Sequence, residues 1–90
     1  MRIDFDPTKR TKILETRGLD MARADEVFAG PTLTVEDDRH DYGETRFITI
    51  GLLGGRMVVM VWTRRSPARR IISLRKANDR EQVLYGPRLV

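Results

Sequence analysis

Two alternating apolar segments, TRFITIGLL (residues 45–53) and RMVVMVWTR (56–64), are separated only by Gly54-Gly55. A two-residue hairpin turn needs positive φ, which glycine adopts without steric cost. The turn therefore fixes a register. Ile50 faces Val59 and Ile48 faces Val61, while Phe47 faces Trp62 and Thr49 faces Met60. Ser66-Pro67 ends the second segment, and Ala68–Arg75 predicts a further strand. An equally tight turn there sets Val61 opposite Ile72, Val59 opposite Leu74, Trp62 opposite Ile71, Met60 opposite Ser73 and Arg64 opposite Arg69. Continuing the first pairing sets Glu44 opposite Arg65.

The rest of the chain is arranged around this frame. Asp6-Pro7 is a helix start, with Asp as N-cap and Pro at the first helical position. The helix runs over residues 7–17 and ends at Gly18. Asp20 caps a second helix whose Met21, Ala24, Val27 and Phe28 recur at helical spacing, and Gly30-Pro31 stops it. Thr32–Glu36 predicts a short strand, and DDRHDYG (37–43) a polar loop. Asn78 with Glu81 three residues on forms a capping box for a short last helix. Gly86-Pro87 closes that helix before a loose tail. The expectation is one α+β domain spanning residues 1–90: two N-terminal helices packed on a four-stranded antiparallel meander, with a short C-terminal helix.

Ninety residues leave room for about one sheet layer and one helix layer. No apolar run approaches the roughly 18 residues of a membrane span. The N-terminus has no signal-peptide pattern and the chain has no cysteine, so a cytoplasmic location is expected. Arginine outnumbers lysine fourteen to three, and no carboxylate occurs between Thr45 and Lys76. Forked guanidiniums in an acid-free run point to an anionic partner, with nucleic acid favoured.

The register sorts these cations by face. Ile48, Ile50, Val59, Val61, Ile72 and Leu74 share one face, which the helices are expected to cover. Thr45, Phe47, Thr49, Met60, Trp62, Arg64, Arg69, Ser73 and Arg75 share the other, expected to stay open. Arg70 falls on the helix-covered face, near its edge, with Glu44 or Glu81 as its expected partner. Directly opposed Arg64 and Arg69 repel each other, so they call for an anion, either a nearby carboxylate or a bound phosphate.

The segments IDFDP, TLTVEDDR, DYGE-R-F, VVMVWT and, most specifically, RIISLRKA (Arg70 to Ala77) resemble the BrnT toxins. These are RelE-like ribonucleases of type II toxin–antitoxin systems, and the similarity runs from Ile3 to about Tyr85. The turn Thr16-Arg17-Gly18 stands where many relatives carry a histidine. The resemblance implies an mRNA-cutting toxin and a ribbon–helix–helix antitoxin of the BrnA type, paired with it in a heterotetramer. On that reading Arg64, Arg69 and Arg75 stabilise charge. Trp62 and Phe47 position a base, and Arg70, Ser73 and Lys76 contact the RNA. Glu44 and Tyr85 are the candidate acid–base groups. His40, a lone histidine in a polar loop, ranks below them. No cofactor or metal is called for; Asp37, Asp38 and Asp41 lack the spacing of a calcium loop. The alternative is a non-catalytic module that binds nucleic acid or a protein partner through the same arginine-rich face.

Overall fold

A computed structural model of the protein describes residues 2–89. The element order is β1 (Arg2–Phe5), α1 (Pro7–Arg17), a 3-10 turn (Met21–Arg23), α2 (Ala24–Ala29), β2 (Leu33–Asp37), β3 (Arg46–Leu53), β4 (Arg56–Arg65), β5 (Ala68–Lys76), α3 (Asp79–Tyr85) and a closing 3-10 turn (Gly86–Leu89). The expected α+β class holds, but the sheet has five strands in the order β1-β5-β4-β3-β2, not four. The added strand is β1, which pairs parallel with β5 from Arg2↔Ala68 to Phe5↔Ile71. It alternates as a half-buried strand should, with Ile3 and Phe5 packed against the core.

The capping chemistry works as read. Asp6 accepts from the Thr8 N–H, Asp20 from the Ala22 N–H, and Asn78 and Glu81 form a reciprocal capping box. Beyond Phe5, β5 has no strand on its β1 side. There Lys9 of α1 donates to the Ile72 carbonyl and Arg17 to the Leu74 carbonyl at 2.8 Å. These cations occupy an edge that would otherwise offer free acceptors.

The β3–β4 register is the one fixed by Gly54-Gly55. Between β4 and β5 it is right only at the turn end, where Trp62 faces Ile71 and Arg64 faces Arg69. A β-bulge then makes Ile72 the extra residue, so Val61 faces Ser73, Met60 faces Leu74 and Val59 faces Arg75. Leu74 thereby moves to the face of Met60 and Trp62. Ser73 and Arg75 move to the face of Val59 and Val61.

The assignment of faces is also reversed. The helices cover the Phe47, Thr49, Met60 and Trp62 face, where Leu19, Met21, Ala24 and Val27 pack on Met60, Trp62, Ile71 and Leu74. Gly51 shows why this side is taken. A Cβ there would stand 2.7 Å from Val27 Cγ1, so only glycine lets α2 approach so closely. The polar atoms on this face satisfy one another. The Trp62 indole N–H donates to Thr49 Oγ at 2.8 Å, and the Thr49 and Thr34 hydroxyls bond at 2.8 Å.

Candidate functional site

With the helices on one side, the face of Ile48, Ile50, Val59 and Val61 is left as the floor of a groove. Val35, Arg39, Ser73, Arg75, Glu81 and Tyr85 complete its lining, around a volume of about 400 Å³. The bulge at Ile72 delivers Ser73 and Arg75 to this floor, and the capping box of α3 sets Glu81 and Tyr85 along one wall. Arg39 of the β2–β3 loop stands on another.

Each cation on this face has a carboxylate partner from outside the acid-free run. Arg75 forms a forked pair with Glu81 at 2.8 and 2.9 Å. Glu81 also accepts the capping bond from the Asn78 N–H. The Arg75 bond, supported by the capping bond, holds the Glu81 carboxyl down at about 2 against the opposing effect of burial. Arg39 forks onto Asp37 at 2.8 and 2.9 Å, and the Tyr42 hydroxyl donates to Asp37 at 3.1 Å. Chiefly through Arg39, Asp37 lies well below the usual carboxylate range and Arg39 is raised. Arg70 pairs with Asp4 at 2.9 Å, rather than with Glu44 or Glu81. Glu44 takes Arg46 at 3.2 Å and Arg65 at 3.4 Å. Among the described residues no three His, Cys, Asp or Glu side chains are grouped to hold a metal ion.

Arg64 and Arg69 are different. Among the described residues neither has a carboxylate within 4.0 Å. They lie on the helix side of the sheet, where Phe28, Thr32, Thr34, Phe47, Trp62 and the two arginines line a second pocket of about 270 Å³. The Arg69 guanidinium sits 4.0 Å over the Phe28 ring and 5.0 Å from Trp62, and that of Arg64 is 5.6 Å from Phe47. Burial, then the neighbouring Arg64 charge, lowers the Arg69 pKa.

The residues singled out from the sequence therefore fall in separate places. Arg75, Ser73 and Tyr85 meet in the groove. Arg64 and Arg69 meet on the opposite face, with Trp62 and Phe47 beneath them as core rather than as an open platform; Trp62 is only 4% exposed. Glu44 lies among arginines at the start of β3. Lys76 is exposed at the end of β5, opposite Val58. His40 stacks edge-on against Tyr42 in the polar loop, away from both pockets. Arg39 and Glu81 were not among the expected site residues. Only the capping-box spacing of Glu81 gave it any prominence, and nothing in the loop sequence placed Arg39 beside the sheet.

A sheet with helices on one face and an arginine-rimmed apolar groove on the other defines a small α+β domain with one sheet face left bare. Residues 5–81 match the family described as "Ribonuclease toxin, BrnT, of type II toxin-antitoxin system", and the chain belongs to that family. It is accordingly a ribonuclease toxin with an antitoxin as partner, and the resemblance read from its sequence stands. A comparison with individually curated proteins gave no match. No helix among the described residues is long and apolar enough to cross a membrane.

Proposed function

We propose that this toxin cuts single-stranded mRNA without a metal ion, in the groove on the bare sheet face. The observation that carries the reading is Arg75, set with Ser73 and Tyr85 around the apolar floor of Ile48, Ile50, Val59 and Val61. In such a reaction the RNA 2′-oxygen attacks the adjacent phosphorus as its hydroxyl proton passes to water. The bond from phosphorus to the 5′-oxygen breaks and that oxygen takes up a proton. The products end in a 2′,3′-cyclic phosphate and a 5′-hydroxyl.

The phosphorus gathers negative charge on the way, and a forked guanidinium is suited to hold it. Arg75 takes that role, exchanging Glu81 for the phosphate, and Arg39 adds positive potential from the other wall. The Tyr85 phenol supplies the proton to the leaving 5′-oxygen, and Ser73 bonds a phosphate oxygen. The branched floor takes the sugar or base of the strand.

The partner in this account is a ribbon–helix–helix antitoxin, joined to the toxin as a heterotetramer. The partly exposed Ile48, Ile50 and Val61 of the floor support it, as do Val35, Val83 and Leu84, which are 62%, 75% and 54% exposed. Apolar surface of this kind beside a site is what a protein cover would bury.

End-group analysis of single-stranded RNA incubated with the purified chain in EDTA tests the chemistry. Cyclic phosphate and 5′-hydroxyl ends are expected. Intact RNA, or 3′-hydroxyl and 5′-phosphate ends, contradicts the reading and leaves a binding module or a metal-dependent nuclease.

A further inference from the structure

Arg64 and Arg69 are directly opposed on neighbouring strands, a placement that destabilises the sheet unless an anion bridges them. The protein compensates the other arginines on β3 and β5, and Arg65 of β4, with its own Asp4, Glu44 and Glu81. Among the described residues this pair receives none. Its surroundings are also shaped: the Arg69 guanidinium carbon stands 4.0 Å over the Phe28 ring, and the pocket of about 270 Å³ beside it is also lined by Thr32 and Thr34.

We infer that the Arg64–Arg69 pair is a second RNA-binding subsite, which grips one backbone phosphate of the strand away from the bond that is cut. The inference rests on the ribonuclease reading above and extends it across the sheet edge. Arg75 faces Val59, and Arg64 lies five residues further along β4, about 16 Å at strand rise. A few nucleotides of extended RNA span that distance. Arg70, opposite Thr63, lies on the groove side between the two positions, and Arg65 lies on that side one residue beyond Arg64. A phosphate suits the site better than a carboxylate. Its tetrahedral oxygens accept from two guanidiniums that approach from different strands, and among the described residues no carboxylate pairs with either arginine.

The test uses a fluorescent single-stranded RNA with every 2′-hydroxyl methylated, so that it binds without being cut. Its affinity for the full chain is measured by anisotropy over a series of salt concentrations. The double variant Arg64→Gln/Arg69→Gln should bind about tenfold more weakly. Its slope of log K against log salt should be shallower by about 0.7, the loss of one phosphate on a single strand. Arg56→Gln, an exposed arginine at the far hairpin, should match the wild type. Because both arginines share one phosphate, either single variant should lose most of the effect of the double. The double variant should melt no lower than the wild type, since a repulsion has been removed. If it fails to fold, the wild-type Arg64 and Arg69 side-chain Nε–H resonances decide instead, and they should move on addition of the RNA.

Unchanged affinity and slope in the folded double variant, or unmoved resonances, overturn the subsite while leaving groove chemistry intact. Unchanged RNA binding with a weakened antitoxin complex also overturns it and assigns the pair to a carboxylate of the protein partner. A wild type that binds no RNA overturns the groove reading and the subsite together.

Discussion

Replacing Glu81 by Gln isolates the charge that the fold spends on Arg75. Glutamine can still accept the Asn78 N–H, so the capping box survives and only the ion pair is lost. The Glu81 carboxyl is lowered from its ordinary 4.5 to about 2, which corresponds to at most about 3 kcal/mol. The Arg75 side chain is 45% exposed and that of Glu81 20%, so solvent screening reduces this to about 1–2 kcal/mol. For a domain of this size each kcal/mol moves the melting temperature by about 4–8 °C. A folded-state pKa below the unfolded one gives stability that is fully present above the unfolded value. It is lost as pH falls through the folded value. The gap between wild type and Glu81→Gln should therefore be constant at neutral pH and close between pH 4.5 and 2. Thermal melts followed by circular dichroism over this range measure it. The same variant should bind the methylated RNA more tightly, because Arg75 no longer has to leave a carboxylate. Equal melting at neutral pH, a gap that persists in acid, or weaker RNA binding would refute the reasoning.

Other substitutions probe what positions the two sites. Gly51→Ala sets a methyl 2.7 Å from Val27 Cγ1 and should cost about 1–3 kcal/mol in urea unfolding as α2 is pushed off β3. Thr49→Val removes the acceptor of the buried Trp62 N–H and should cost about 1–3 kcal/mol, with a shift in tryptophan emission. Asp4→Asn releases Arg70 from its 2.9 Å partner. Because the Arg70 and Asp4 side chains are 26% and 46% exposed, solvent screens the pair and the variant should unfold in urea close to the wild type, while the added free cation on the groove face should tighten RNA binding.

Much of the frame was legible because it is local. Gly54-Gly55 dictated the β3–β4 register, and Asp6-Pro7, Gly18 and the Asn78–Glu81 box marked helix ends through chemistry confined to a few residues. β1 was missed because four residues carry little periodic signal and their partner lies more than sixty positions away in the chain. The β4–β5 pairing was legible at Arg64 and Arg69, next to the turn. It failed at Ile72, where one extra residue leaves no mark that an alternating pattern reveals. The faces were exchanged because Ile48, Ile50, Val59 and Val61, read together with Ile72 and Leu74, form the more uniformly aliphatic side; the bulge instead puts Ser73 and Arg75 on that side and Leu74 on the other. Gly51, on the side of Phe47 and Thr49, was the overlooked sign that a helix approaches there. The acid-free run was real in sequence but not in space. Asp4, Glu44 and Glu81 return to it from outside to Arg46, Arg65, Arg70 and Arg75, while the directly opposed Arg64 and Arg69 have no such partner among the described residues.

Single-turnover cleavage of RNA in EDTA by Arg75→Gln tests the central claim most directly, with circular dichroism to verify the fold. If the groove arginine holds the charge that develops on phosphorus, the rate should fall at least about a hundredfold while the protein stays folded. Cleavage at the wild-type rate by the folded variant would contradict the account and place the chemistry elsewhere on the molecule.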